Sequence, residues 1–352
     1  MKNKTRGRFF LLATLLLILA MVVTPVMAVE TSQNPPDQQM TLVVLGDSIA
    51  WGASAPAGQG YASRVAHDQN MILINRAVGG WRTEHVINQL KTDVLTQEAI
   101  KAADVIQIAI GGNDLQQAGY IGPAIDALVL GDKSVWEQHS KNVADRFAQI
   151  VDLVHELNPQ APFFVFNSYT PDYKRFGDNI IGLGGNEVIT GNMLYALAQD
   201  YAIPYFNSTY LAYLEQNPGA FILVDIFDAF PGNDSLYYGS GLDTIHPSAF
   251  GHEKLADRLN AAIDAYQFPI TSLRIDALSI TTVARGGEYS FGLILNAGAT
   301  GDNVEWALAT PSLGYVDHAG NVKIFDKTGN VRLTATDPIS GKSHSITLRI
   351  AS

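Results

Sequence analysis

The chain has 352 residues, 47% hydrophobic and 16% charged, with 23 Lys and Arg against 34 Asp and Glu and a formal charge of −11. This is a globular composition, and the length favours two domains over one. There are no cysteines, which excludes disulfides, thiolate metal ligands and a cysteine nucleophile. The acidic balance argues against nucleic acid or an anionic membrane surface as a partner.

The N-terminus has the layout of a secretory signal. Lys2, Lys4, Arg6 and Arg8 precede an uncharged apolar run from Phe9 to Val23, and Val26-Met27-Ala28 supplies small residues for cleavage after Ala28. Residues 1–28 are therefore expected to be a signal peptide, and the mature chain to be secreted, extracellular or held at the cell surface. The competing reading is a retained anchoring helix, although the run is short for a span of ~20 residues. No cysteine follows the cut, so lipid attachment there is excluded. Cleavage removes four positive charges and takes the net charge from −11 to −15. Residues 29–40, with Pro35-Pro36, read as a flexible lead-in.

From Thr41 the pattern becomes regular. Thr41–Leu45, Met71–Ile74, Val105–Ile110 and Phe163–Phe166 are short continuous apolar runs, each followed by turn residues, and Ile203–Phe206 is a weaker one. Runs of this length and composition suit strands buried on both faces. Thr83–Ala102, Val135–Leu157, Asn192–Tyr201 and Ser248–Tyr266 carry apolar residues at three- and four-residue spacing and are expected to be helices. Alternating β and α units imply a three-layer α/β/α domain on a parallel sheet, with functional loops beyond the carboxyl ends of the strands. It is expected to span 41–267.

After Phe268-Pro269 helical periodicity stops. Val322, Ile324, Val331, Leu333, Ile346, Leu348 and Ile350 alternate with polar residues, and Asp317–Asn321 and Asp326–Asn330 are turn clusters. Residues 270–352 are expected to form a small all-β sandwich.

Three strand ends carry groups suited to acyl transfer. Gly46-Asp47-Ser48 follows the first strand. A serine there is either a helix N-cap or a nucleophile that needs a base within reach. Asp243-Thr-Ile-His246 supplies a carboxylate three residues before an imidazole, ahead of Pro247 and a capping Ser248, which suits a base oriented by an acid. Asn75–Gly80 offers the Gly80 N–H and Gly111-Gly-Asn113-Asp114 offers the Asn113 amide, which with the Ser48 N–H would make an oxyanion hole. His67, His85, His139, His155, His252, His318 and His344 are expected to be structural. Asp172, Asp178, Asp225 and Asp228 have no evident partner. No Gly-x-Ser-x-Gly occurs; Gly52-Ala-Ser54-Ala-Pro56 comes nearest and lacks the last glycine. No metalloprotease, phosphate-loop or dinucleotide motif is present.

Taken in order, Gly46-Asp47-Ser48, Gly80, Gly111-x-Asn113-Asp114 and Asp243-x-x-His246 resemble the four motif blocks of the SGNH (GDSL-type) hydrolases, over about residues 41 to 267. The resemblance implies a flavodoxin-like fold and a serine esterase or lipase that needs no metal or cofactor. It implies Ser48, Asp243 and His246 as catalytic triad and Ser48, Gly80 and Asn113 as oxyanion hole. Ile49 replaces the usual leucine. Ala77 and Trp81 depart from the second block, and Trp81 is expected either to line a substrate pocket or to pack beneath the next helix. Segments Leu115–Lys133 and Asp172–Gly185, with Tyr120, Tyr173, Phe176, Ile180 and Ile181, are expected to shape the pocket. Residues 270–352, with Trp306 in Val304-Glu-Trp306, are similar to bacterial group 2 immunoglobulin-like domains, which implies a spacer or a module contacting a cell surface or polysaccharide. The expected substrate is a small ester or a lipid or glycan ester. Alternatives are a carbohydrate O-acetylesterase and a catalytically inactive surface-binding protein.

Overall fold

The computed structural model describes residues 39–117, 121–179, 189–230, 232, 234–277 and 281–351. The expected signal peptide, most of the lead-in, Tyr120, Ile180 and Ile181 lie outside these residues.

Five strands form one parallel sheet: β1 (Thr41–Gly46), β2 (Ile72–Asn75), β3 (Val105–Ala109), β4 (Phe163–Phe166) and β5 (Ile222–Val224), in the order β2-β1-β3-β4-β5. That is the doubly wound, flavodoxin-like order, whose crossovers put helices on both faces. The helices are α1 (Ser48–Trp51), α2 (Tyr61–Asp68), α3 (Thr83–Thr92), α4 (Val94–Lys101), α5 (Gly112–Gln117), α6 (Ile121–Val129), α7 (Ser134–Leu157), α8 (Gly191–Leu197), α9 (Ile203–Gln216) and α10 (Ala249–Ala265). Strand β1 shows why its residues from Leu42 to Leu45 are all apolar. Val43 and Leu45 face a core shared with α3, α4, α7 and α9. Leu42 and Val44 face a second core shared with α2 and α10. With both faces covered, every side chain of the strand is better apolar.

Two elements differ from the sequence reading. Ile203–Phe206 is not a strand; it opens α9, with Pro204 in the first turn where its missing N–H costs nothing. A short apolar run does not distinguish strand from buried helix, and here Phe206 and Tyr210, four residues apart, pack on the same core. The fifth strand is Ile222–Val224, beyond that helix. The helix expected over Thr83–Ala102 is split in two at Asp93, whose carboxylate accepts the Leu95 N–H and caps α4.

The C-terminal part is all-β. Its strands are β6 (Leu273–Asp276), β7 (Thr282–Ala284), β8 (Glu288–Ser290), β9 (Gly292–Leu295), β10 (Glu305–Leu308), β11 (Gly314–Val316), β12 (Asn321–Ile324), β13 (Gly329–Thr336) and β14 (Ser343–Ala351). They pair as β10-β13-β14-β7, β11-β12-β8 and β6-β9, antiparallel except for β14 with β7. Val322, Ile324, Val331, Leu333, Leu348 and Ile350, the alternating residues of the sequence, are in its separate core, and Trp306 packs against it half-buried.

Candidate active site

Serine 48 sits where β1 meets a single helical turn. Gly46 ends the strand at φ 130°, and a Cβ there would stand 2.0 Å from the Ala109 carbonyl oxygen. Only glycine lets the ends of β1 and β3 come this close. The next N–H, of Asp47, donates to that carbonyl at 3.1 Å. The Asp47 side chain then caps α1 by accepting the Ile49 N–H at 2.9 Å. Burial pushes the Asp47 carboxyl up to about 7, the capping bond pulling it down and the charge of Asp114 pushing it further up. Ser48 itself is the first residue of α1, not its cap.

The loop after α9 and β5 brings in the other partners. His246 Nε2 lies 2.9 Å from Ser48 Oγ, and His246 Nδ1 lies 2.9 Å from Asp243 Oδ1. The three-residue spacing works because Asp243 Oδ1 also accepts the backbone N–H of His246 at 3.1 Å, which folds the loop into a tight turn. Burial alone would raise the Asp243 carboxyl. Hydrogen bonds from Ser54 and the His246 amide, with the attraction of the imidazole, outweigh it and hold Asp243 below the ordinary carboxylate range. Ser248 caps α10 by accepting the Gly251 N–H at 3.3 Å, and Pro247 bridges Tyr238.

The oxyanion candidates converge on the same strand ends. The Asn75–Trp81 loop is stitched to β1 through Arg76 N–H to the Val44 carbonyl and Val78 N–H to the Gly46 carbonyl, at 2.8 and 3.0 Å. This carries Gly79 past Ser48, 3.9 Å from a built Cβ to that of the serine, and leaves Gly80 exposed at φ 79°. Asn113 Nδ2 donates to the Trp81 carbonyl at 2.9 Å, tying the third block to the second. Beneath them Asp114, buried, accepts the Thr83 N–H at 2.8 Å, the Thr83 hydroxyl at 2.6 Å and Arg146 Nη2 at 3.0 Å. The N-terminus of α3, α5 and α7 meet on that one carboxylate.

A cleft of about 910 Å³, counting its open mouth, runs along the carboxyl ends of β1, β3 and β4. Asp47 and Ile49, on either side of Ser48, and Ile245, beside His246, are in its wall. Leu115, Leu128, Tyr173 and Leu194 make much of the rest. The expected pocket segments contribute Leu115, Leu128 and Tyr173. Trp81 is not in the wall of this cleft; its indole packs on the core and stacks on His85.

Sequence reasoning missed two groups here. Asp172, fully buried, accepts from Arg175 Nε at 2.9 Å and Ser235 Oγ at 2.6 Å. Arg175 Nη1 then donates to the carbonyls of Gly239, Gly241 and Asp243 at 2.5, 3.2 and 3.2 Å, clamping the loop that carries the aspartate. The Asp-x-x-Arg spacing was visible, but its target, 64 to 68 residues away in sequence, was not. The second group is Ser54, whose hydroxyl donates to Asp243 Oδ2. Of the other orphan aspartates, Asp225 holds Asn167 and Asp178 holds Asn192, both structural contacts. His139 is buried against the Asp114 carbonyl, and burial lowers its pKa. Among the described residues no three His, Asp or Glu side chains converge as a metal site requires, and no helix is long and apolar enough to cross a membrane.

A parallel sheet in this order, with a serine, an imidazole and a carboxylate in hydrogen-bond succession at its strand ends, is the arrangement of an SGNH-type α/β/α hydrolase. Residues 44–254, more than half of the chain, match the GDSL-like lipase/acylhydrolase family, and the chain belongs to it. Over 177 residues it is 26% identical to YpmR of Bacillus subtilis (strain 168), described only as uncharacterized; the match covers 46% of this chain and 66% of that protein's length. Phospholipase A1 from Streptomyces albidoflavus NA297 shares the fold at a TM-score of 0.50 and 19% identity, covering 64% of this chain and 99% of its own. The lipase Lip_vut3 from a goat rumen metagenome matches at 0.47 and 25% identity, covering 64% and 97%.

Proposed function

We propose that the chain hydrolyses carboxylic esters through Ser48, His246 and Asp243, and that the acyl part of its substrate occupies the apolar cleft beside Ser48. His246 Nε2 takes the Ser48 proton as the oxygen attacks the carbonyl carbon. Asp243 accepts from Nδ1 and stabilises the imidazolium. The Ser48 and Gly80 N–H groups and the Asn113 amide receive the oxyanion. The imidazolium returns its proton to the leaving alcohol, and water activated by the same ring releases the acid. The observation that carries this reading is the pair of 2.9 Å contacts joining the three side chains in one line. The expected signal peptide and acidic mature chain support an enzyme acting outside the cell, and N-terminal sequencing of secreted protein beginning at Val29 would bear that out.

The cleft favours a lipid-like acyl group over acetyl. A buried methylene is worth ~0.8 kcal/mol, so even half of that, over the six methylenes separating C2 from C8, gives ~50-fold in kcat/KM. A p-nitrophenyl ester panel from C2 to C16, beside acetylated glycans, tests it. An optimum at C6 or longer, abolished in Ser48→Ala, is expected. A flat profile, or preference for acetyl glycans, overturns the acyl-cleft reading; undiminished hydrolysis by Ser48→Ala overturns the triad.

A further inference from the structure

Ser54 lies outside every motif block. It follows the α1 turn in the chain, and its hydroxyl donates to Asp243 Oδ2. The other oxygen, Oδ1, takes His246 Nδ1 and the backbone N–H groups of Ile245 and His246. The two oxygens are thus divided between the imidazole turn and Ser54.

The turn bearing Ser54 is held in place on its own account. Ser54 has φ 65°, a left-handed conformation that a non-glycine residue adopts at a cost. The Ala53 N–H donates to the Ser48 carbonyl at 2.9 Å. The Ala53 carbonyl lies 3.0 Å from His252 Nε2, and His252 Nδ1 lies 3.3 Å from the Tyr61 N–H. Because Nδ1 faces a donor, the hydrogen-bond pattern assigns the proton to Nε2, which donates to Ala53. The ring is buried, and burial pushes its pKa down to about 4, so it stays a neutral donor at neutral pH. A structural histidine thereby fixes the backbone of the residue that holds the aspartate.

We propose that Ser54 is a positioning residue for the Ser48–His246–Asp243 triad, its hydroxyl locking the Asp243 carboxylate against rotation and set in place by the His252–Ala53 contact. This rests on the triad reading above. One hydrogen bond to Oδ2 also spreads the carboxylate charge. Without it Asp243 is harder to keep ionised and pulls more strongly on the imidazolium, and both effects move the acid side of the rate profile to higher pH. The other groups around the pair stay as they are in a Ser54 variant. Arg175 binds the Asp243 carbonyl, Tyr169 Oη the Ile245 carbonyl, Asp47 lies beneath Ser48, and Arg64 and Glu253 pair across α2 and α10.

The test compares wild type, Ser48→Ala, Ser54→Ala and Ser54→Gly on p-nitrophenyl butyrate between about pH 5 and pH 9. Glycine adopts φ 65° without strain, so Ser54→Gly removes the hydroxyl while keeping the turn. Both Ser54 variants are expected to lose ~10-fold in kcat with KM within about twofold, and their acid limb of kcat/KM to rise by about half a pH unit. Wild-type rate and profile in Ser54→Gly overturn the proposal, since the backbone alone then suffices. A lower rate with an unmoved acid limb in both variants reduces Ser54 to a structural part and also overturns it. If Ser48→Ala hydrolyses as fast as wild type, the triad reading itself fails and takes the proposal with it.

Discussion

Asp114→Ala tests whether the site is built on a buried node. Asp114 is 2% exposed and accepts three hydrogen bonds, two from Thr83, which has no exposed surface. Alanine leaves the Thr83 N–H and hydroxyl with no carboxylate, and each buried donor stranded this way costs ~1–3 kcal/mol. Arg146, its side chain 32% exposed, turns to solvent and adds little. The expected loss is ~2–5 kcal/mol, a large part of the ~5–15 kcal/mol of a typical domain. Asp114→Asn retains an acceptor for the Thr83 N–H but sets an amide against Arg146, and should lose ~1–2 kcal/mol. Urea unfolding gives the values. Three of the four tryptophans, Trp51, Trp81 and Trp136, lie in the hydrolase domain and report its transition, and Trp306→Phe removes the fourth. The Ala variant should also lose activity while still folded, because Asn113 is the residue just before it. A loss under ~1 kcal/mol at unchanged m-value would refute the argument that α3, α5 and α7 depend on this carboxylate.

Other predictions follow from single contacts. Ala198, buried in the cleft wall, replaced by Phe should depress C8 and longer esters at least ~10-fold while C2 hydrolysis holds, read as kcat/KM on the ester panel. Gly46→Ala should give no soluble folded protein on expression, since its Cβ would collide with the Ala109 carbonyl. Asp47 is raised in the folded state to about 7, so the native chain binds its proton more tightly, and this group lowers stability as pH rises from ~4 to ~7; Asp47→Asn should gain on wild type across that range in thermal melts. His252 is depressed to about 4, so its contribution is present above ~6.5 and is lost as pH falls towards 4. His252→Gln should flatten that decline in the same melts.

What the sequence disclosed of the fold followed how much of each signal was local. Strands β1, β3 and β4 are mostly apolar because both faces are covered, the buried Gln107 of β3 being held by the Tyr61 hydroxyl, and they were readable to within a residue. Helix α10 announced itself through Ser248 and its periodicity. Ile203–Phe206 misled because four apolar residues suit a strand or a buried helical turn equally, and only the contact of Phe206 and Tyr210 with the far core decides between them. The break at Asp93 was equally hidden: an aspartate inside an amphipathic run looks like a solvated face until its carboxylate is seen on the Leu95 N–H.

The site divides along the same line. Ser48 next to a strand end, and Asp243 three residues from His246, are short-range patterns and legible one by one, although the contact that joins Ser48 to His246 spans 198 residues. Ser54 meets Asp243 across 189 residues, and Arg175 meets the Asp243 loop across 68 at its furthest contact. Neither spacing constrains anything, because which loops meet is set by the 2-1-3-4-5 strand order and not by any one segment. The proposed reacting groups therefore lie in short motifs, while the contacts proposed to hold them follow from the topology. Variation in Ser54 or Arg175 should accordingly change the precision of the triad, seen in kcat and its pH profile, before it changes whether the triad forms at all.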